Sequence, residues 1–206
     1  MAYVDLSFGL RGEAIPLDHG YPLYAALSGV LSKECLNLEV GVHPVKGTAG
    51  GDGTLSLGKG SCLTIRMPSE RIPDFLPLAG RSLEVEGHSI RVGVPKVLAL
   101  KPAATLAARM VTIKGFMEPA EFLEAARRQM DSLGISGEAT VGVRRREAGR
   151  DDAGEPIRRV LRIKDRSIVG FSVLVAHLTA EESLKLQEQG LGGRRHMGCG
   201  VFVPVP

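Results

Sequence analysis

Residues 190–200 read Gly190-Leu191-Gly192-Gly193-Arg194-Arg195-His196-Met197-Gly198-Cys199-Gly200, with five glycines around two arginines and a histidine. Glycine has no Cβ, so it reaches positive φ and lets another backbone come close. Successive N–H groups in such a turn can form a concavity for an anion. Arg194 and Arg195 add forked cationic donors suited to phosphate. Four other histidines, His19, His43, His88 and His177, are spread along the chain. An imidazole titrates near neutrality and can move a proton in either direction. Together these residues point to chemistry on an anionic substrate.

A second basic cluster lies upstream. Residues 144–166 hold 9 Lys/Arg against 5 Asp/Glu, while residues 1–100 hold 9 against 10. A local basic patch points to a polyanionic partner better than the modest net charge of +3 does. In residues 157–164 the even positions Arg158, Arg162 and Lys164 share one side of a strand, and Leu161 and Ile163 the other. Arg144, Arg145 and Arg146 end the preceding arm. Such a basic ribbon suits an RNA backbone. The same arginines could instead pair with Glu147, Asp151, Asp152 and Glu155 on an exposed hairpin.

Composition narrows the class. With 206 residues and 44% apolar content the chain can bury one large or two small cores. Trp is absent and aromatics are few, which disfavours reading single strands mainly by base stacking. Three cysteines without CxxC spacing argue against a disulfide framework or a zinc site and fit a reducing cytosol. No acidic cluster has metal-ligand spacing, so neither metal nor cofactor is expected. No apolar run reaches membrane-spanning length and residues 1–10 lack a leader pattern, so the expected location is cytoplasmic, away from any membrane.

The elements that must position these groups follow from periodicity. Residues 3–10 alternate as a strand. Pro22 opens a helical pattern that runs toward Lys33, and residues 38–45 alternate again. Residues 47–60 read as a glycine-rich loop, 62–67 as a strand, 69–75 as a short helix, and 83–86 with 90–94 as a closing hairpin. The order then repeats. Residues 105–114 form a strand, 118–133 a helix capped by Gly134, 139–145 a strand and 157–164 its return arm. Residues 168–178 form a central strand, Thr179 with Glu182 caps a helix through Gln189, and 201–203 form a last strand. Two β-α-β-β-α-β units make an α+β chain of two tandem ferredoxin-like domains, 1–98 and 99–206, with a C-terminal glycine-rich loop.

The loop's place excludes two nucleotide readings. A dinucleotide fingerprint needs a strand before the glycines and a helix after them, and here the order is reversed. The segment Gly53-Thr54-Leu55-Ser56-Leu57-Gly58-Lys59 is like a P-loop, but Gly60 stands where a Ser or Thr must hold magnesium. Instead, Gly190-Leu191-Gly192, five residues containing arginine, then Gly198-Cys199-Gly200 resembles the pattern G-hydrophobic-G-x5-G-x-G. That is the glycine-rich loop of the CRISPR-associated RAMP superfamily, and the repeated element order extends the resemblance over essentially the whole chain. The ending from Gly198 through Pro204 resembles that of the repeat-processing endoribonucleases, of the Myxan subtype.

The resemblance implies a metal-independent endoribonuclease that cuts precursor CRISPR transcript within each repeat. The ribose 2′-OH attacks the neighbouring phosphate and leaves a 2′,3′-cyclic phosphate and a 5′-OH. Family members place a catalytic histidine near the first helix, which favours His19, in a Gly/Pro turn where the ring should be reachable. Tyr21 is a possible phosphate donor, and His196 is a second catalytic candidate. Gly190, Gly192, Gly193, Arg194, Arg195, His196, Gly198 and Gly200 would hold RNA. Arg144, Arg145, Arg146, Arg158, Arg162 and Lys164 would extend the footprint. His43, His88 and His177 take structural places. The expected partner is CRISPR repeat RNA, precursor and mature. The alternative is a non-catalytic RNA-binding subunit, with other subunits of a CRISPR effector complex as its partners.

Overall fold

The structure, a computed structural model, describes residues 2–37, 39–144 and 154–205. Its contacts divide the chain into two units. The first comprises residues 1–100 with 162–164 and 195–198, and the second comprises 101–161, 165–194 and 199–206.

In the first unit the order is β1 (Tyr3–Arg11), β2 (Ala14–Pro16), α1 (Gly20–Ser28), β3 (Gly41–Val42), β4 (Thr48–Ala49), β5 (Thr54–Ser56), β6 (Cys62–Pro68), α2 (Ile72–Phe75), β7 (Ser82–Val85) and β8 (His88–Ala99). The main sheet runs β3-β6-β1-β8-β7, the ferredoxin-like order with one added edge strand. Alternation sends Leu6, Phe8, Leu63, Ile65 and Met67 into a core shared with Leu23, Leu27 and Phe75. Asp5, Ser7, Thr64 and Arg66 lie on the opposite parity, with Asp5 directly across from Arg66 and Ser7 across from Thr64.

In the second unit the order is β9 (Leu106–Val111), α3 (Pro119–Ser132), β10 (Glu138–Val141), β11 (Arg158–Ile163), β12 (Arg166–Ala176), α4 (Ala180–Gln189) and β13 (Val203–Pro204). Its sheet, β10-β12-β9-β13, repeats the order of the first. Phe122, Ala126 and Met130 of α3 and Leu186 of α4 pack on Leu106, Ala108, Val173 and Val175. Thr179 and Glu182 form the capping box expected at the start of α4.

Four local expectations are corrected. The first helix ends at Ser28 rather than near Lys33, where the Gly29 N–H turns back to Ala26 and Leu27 carbonyls. The second strand is two residues long, because Pro44 has no N–H to continue a ladder. The glycine-rich 47–60 segment is not plain loop, since β4 and β5 pair with β2 in a small sheet. Finally, β11 is the partner of β12, not mainly the return arm of residues 139–145. A tight turn with Lys164 at φ +53° joins β11 to β12, while among the described residues the link to the β10 side is the bridge Val143 to Pro156. Among the described residues no helix is long and apolar enough to cross a membrane.

Candidate active site

Five of the histidine and arginine positions fall within the first unit's surface cluster or its supports: His19, His43, Arg66, Arg195 and His196. At its base Arg66 on β6 reaches across to Asp5 on β1. Its Nε donates to Oδ1 at 2.8 Å and an Nη to Oδ2 at 2.9 Å, a bidentate pair with Arg66 only 1% exposed. Burial alone would raise the Asp5 carboxyl. The hydrogen bonds from His43 and Arg66, with the Arg66 charge, outweigh it and hold Asp5 well below the usual carboxylate range.

His43 follows β3, whose residues pair with β6. Its N–H donates to the Thr64 carbonyl at 2.8 Å, and its Nε2 lies 3.2 Å from Asp5 Oδ1. An ionised Asp5 can only accept, so Nε2 carries the proton and Nδ1 keeps its lone pair. Burial lowers the His43 pKa, and the positive charges of Arg66 and Arg195 add to the shift, against the raising effect of Asp5. The ring is neutral at neutral pH, and its side chain is 13% exposed. Orientation by a carboxylate and a free basic nitrogen are what a proton acceptor needs.

His19 stands differently. It is 3% exposed, its Nδ1 is 3.1 Å from the Pro16 carbonyl, and its Nε2 accepts the Val45 N–H at 3.0 Å. The reachable ring expected from the Gly/Pro turn is therefore corrected: both nitrogens are engaged, one donating and one accepting. The imidazole pins the backbone two residues past His43. Tyr21 and Tyr24 lie on α1 with ring centroids 6.4 Å apart, and Tyr24 meets His196 at 4.8 Å. Arg195 is buried next to Arg66, and burial followed by that like charge pushes its guanidinium down to about 10. A Cβ on Gly198 would sit 3.5 Å from Pro44 and 3.7 Å from the Val42 carbonyl, so residues 195–198 lie over the strand that carries His43.

The glycines do something other than cradle an anion. The N–H groups of Gly190, Gly192, Gly193, Gly198 and Gly200 donate, respectively, to Leu186 O, Gln129 Oε1, Thr112 O, Arg195 O and Met110 O. These amides are spent inward, so the expected nest is corrected. A Cβ on Gly192 would strike the Thr112 carbonyl, and one on Gly200 the Leu191 carbonyl. Glycine is needed there for close backbone packing at positive φ, +71° and +65°. Arg194, at φ +62°, is a non-glycine residue in the left-handed region, a conformation costing about 1 kcal/mol or more.

Of the basic-hairpin positions, Arg158, Arg162 and Lys164 are exposed, as is Arg144. Arg162 and Lys164 group with the first unit, where the Arg162 N–H donates to Asp18 Oδ2 at 3.0 Å. Arg144 and Arg158 belong to the second unit. Arg145 and Arg146 lie outside the described residues.

Comparison with known proteins settles the relationship. The family described as Cas6 Crispr matches residues 4–206. The chain belongs to the Cas6 family. It is 40% identical over 204 residues to the CRISPR-associated endonuclease Cas6 of Myxococcus xanthus (strain DK1622), covering 99% of this chain and 82% of that protein. Among solved structures, a CRISPR-associated protein Cas6 superposes with a TM-score of 0.66 at 14% identity, over 99% of this chain and 100% of the other. A structure described as a RAMP protein binding different RNA substrates follows at 0.63 and 12%, covering both chains fully. At these identities the structural likeness concerns the fold, and it agrees with the ferredoxin-like order of both sheets. The resemblance of the glycine loop to the RAMP pattern is thereby placed within the Cas6 family.

Two outcomes are expected from this geometry. Gly200→Ala should cost about 2–4 kcal/mol in urea unfolding, through strain and a backbone clash. Gly193→Ala, with nothing within 4 Å of the added Cβ, should stay within about 1 kcal/mol of the parent. Acid should unmask the clasp. Asp5, held low in the fold, contributes stability above the unfolded value near 4 and loses it as pH falls further. His43, also held low, makes stability fall already below about pH 6.5, because the unfolded chain takes a proton the fold resists. Asp5→Asn should cost about 3 kcal/mol at pH 7 by leaving Arg66 half-paired. The gap between variant and parent should narrow below pH 4. A gap independent of pH would show that the Asp5 charge is not what the clasp uses.

Proposed function

We propose that this Cas6-family chain binds CRISPR repeat RNA and cuts precursor transcript within the repeat without metal, to give mature guide RNAs. Its 40% identical relative is named an endonuclease, and a structure of the same fold, Thermus thermophilus Cse3 at TM-score 0.52, is described as bound to an RNA representing a pre-cleavage complex. The observation that carries the mechanism is the carboxylate-held, neutral imidazole of His43.

In this reading His43 Nδ1 takes the proton of the ribose 2′-OH as that oxygen attacks the adjacent phosphorus. The P–O5′ bond breaks, leaving a 2′,3′-cyclic phosphate, and the departing 5′-oxygen receives a proton from a protonated His196 held against Tyr24. Arg195, in the same unit as both imidazoles, supplies cationic character around the developing phosphorane, and Arg194 would contribute a phosphate contact. Both proton steps run through imidazoles of the first unit, so the reaction has no requirement for a bound metal. His19 acts by position alone, through the Val45 N–H. Arg158, Arg162, Lys164 and Arg144, with Arg145 and Arg146, would contribute phosphate contacts.

The test is incubation of the purified chain with its repeat RNA in EDTA, followed by analysis of the product ends. A single cut with a 2′,3′-cyclic phosphate and a 5′-OH is expected. The rate should rise with pH through the lowered range of His43. Tight binding without any cut would overturn the nuclease reading and favour a non-catalytic RNA-binding subunit of an effector complex.

A further inference from the structure

The second unit carries an arginine site that the hairpin's even-numbered residues do not include. In its sheet Leu106, Ala108, Ala139, Val173 and Val175 point into the core beneath α3 and α4. The alternate positions form the opposite face. Register places Ala107 beside Leu174 and Thr140 beside the same Leu174, and hydrogen bonds link Gly142 to Ser172 and Ser172 to Ile157. Continuing each strand by two residues on the same parity brings Arg109 from β9, Arg144 from beyond β10 and Arg159 from β11 to this face.

Arg109 and Arg144 each lie close enough to Arg159 for their charges to act on it. Arg109 and Arg144 are exposed. Arg159 is half-buried, and its Nε is out of contact with solvent with no hydrogen-bond partner among the described residues. Burial first, then the charges of Arg109 and Arg144, pulls its pKa down, and among the described residues no carboxylate opposes them. A desolvated guanidinium flanked only by cations is unfavourable in the free protein. It becomes favourable when an anion supplies the missing charge and the missing acceptor. Around Leu174 the face carries the small residues Ala107, Thr140, Gly142 and Ser172, so a phosphodiester backbone can lie close. None of these positions is aromatic, so contact would be through phosphate rather than base stacking.

We propose that Arg159, flanked by Arg109 and Arg144 on the helix-free face of the second unit's sheet, binds RNA backbone phosphate without regard to sequence. The proposal rests on the reading that the chain binds RNA. It differs from the hairpin expectation in a checkable way, because Arg159 lies on the opposite side of β11 from Arg158 and Arg162.

The experiment is fluorescence anisotropy of the full chain with a labelled oligouridylate about 20 nucleotides long, over a salt series. This probe contains no repeat, so the result does not depend on cleavage. Arg159→Gln should weaken binding about tenfold at 0.1 M salt, as expected for one lost charge-assisted contact. It should also lower the slope of log K against log salt by about 0.7. Arg109→Gln, at an exposed position that cannot unfold the chain, should lower the slope by a similar amount, and Arg159→Lys should keep most of the slope. Arg127→Gln on the exposed side of α3 should change neither quantity. Because the free protein holds Arg159 unfavourably, Arg159→Gln should melt at or above the parent temperature. Unchanged affinity and slope in both Arg159→Gln and Arg109→Gln would overturn the proposal, as would failure of the parent to bind the probe. Repeat cleavage with unchanged slopes would refute the site and leave the nuclease reading standing. Changed slopes without cleavage would do the reverse.

Discussion

The first unit's main sheet depends on the buried cation Arg66. Arg66 sits in the middle of a strand whose neighbours are apolar, and it is nearly inaccessible to water. A guanidinium there is tolerable only if a carboxylate meets it with both oxygens. Asp5 does so from the directly opposed position on β1, which fixes the register of the two central strands. Once Asp5 is committed to Arg66 it stays ionised, and an ionised carboxylate dictates which nitrogen of His43 carries the proton. A structural requirement of the sheet thus becomes a chemical property of the ring. His19 completes the frame from the other side by holding the Val45 amide, so the short segment after β3 is fixed at both ends.

The glycine-rich loop fits this frame by packing. Gly190, Gly192 and Gly200 bond to α4, α3 and β9, Gly193 to Thr112 just past β9 and Gly198 to Arg195 within the loop, and a side chain at Gly192 or Gly200 would strike a carbonyl. What the loop gains is position. Residues 195–198 come over β3 with Arg195 beside Arg66 and His196 on Tyr24. The loop's glycine N–H groups are engaged within the protein and do not form a ring of outward backbone donors.

Much of the architecture was legible in the sequence because apolar alternation and helix caps are local signals. Both β-α-β-β-α-β orders, the α4 capping box and the place of the glycine loop follow from such signals. The small sheet of β2, β4 and β5 was not legible, since its strands have two or three residues and sit among glycines with no apolar period. The pairing of β11 with β12 was hidden because the joining turn uses Lys164 at positive φ, where a glycine or asparagine is the usual marker. His19 looked accessible because Gly20 and Pro22 flank it, but a turn next to a helix start can bury its ring against the neighbouring loop. The contact of His43 with Asp5 was not legible because the two residues are 38 positions apart. One signal was available: Asp5 and Arg66 each interrupt an otherwise apolar strand, and charges in such places call for a partner.

The central claim is that His43, not His19, exchanges the proton. Single-turnover cleavage of repeat RNA by folded His43→Ala and His19→Ala variants, each with its RNA affinity measured alongside, tests this most directly. The account predicts that His43→Ala binds RNA nearly as the parent does but cuts about 10²–10⁴-fold more slowly, the range for loss of a general base. His19→Ala should lose stability and retain a cutting rate within about tenfold of the parent, as expected for a group that acts only through position. Cleavage that survives His43→Ala and disappears in a folded His19→Ala would contradict it.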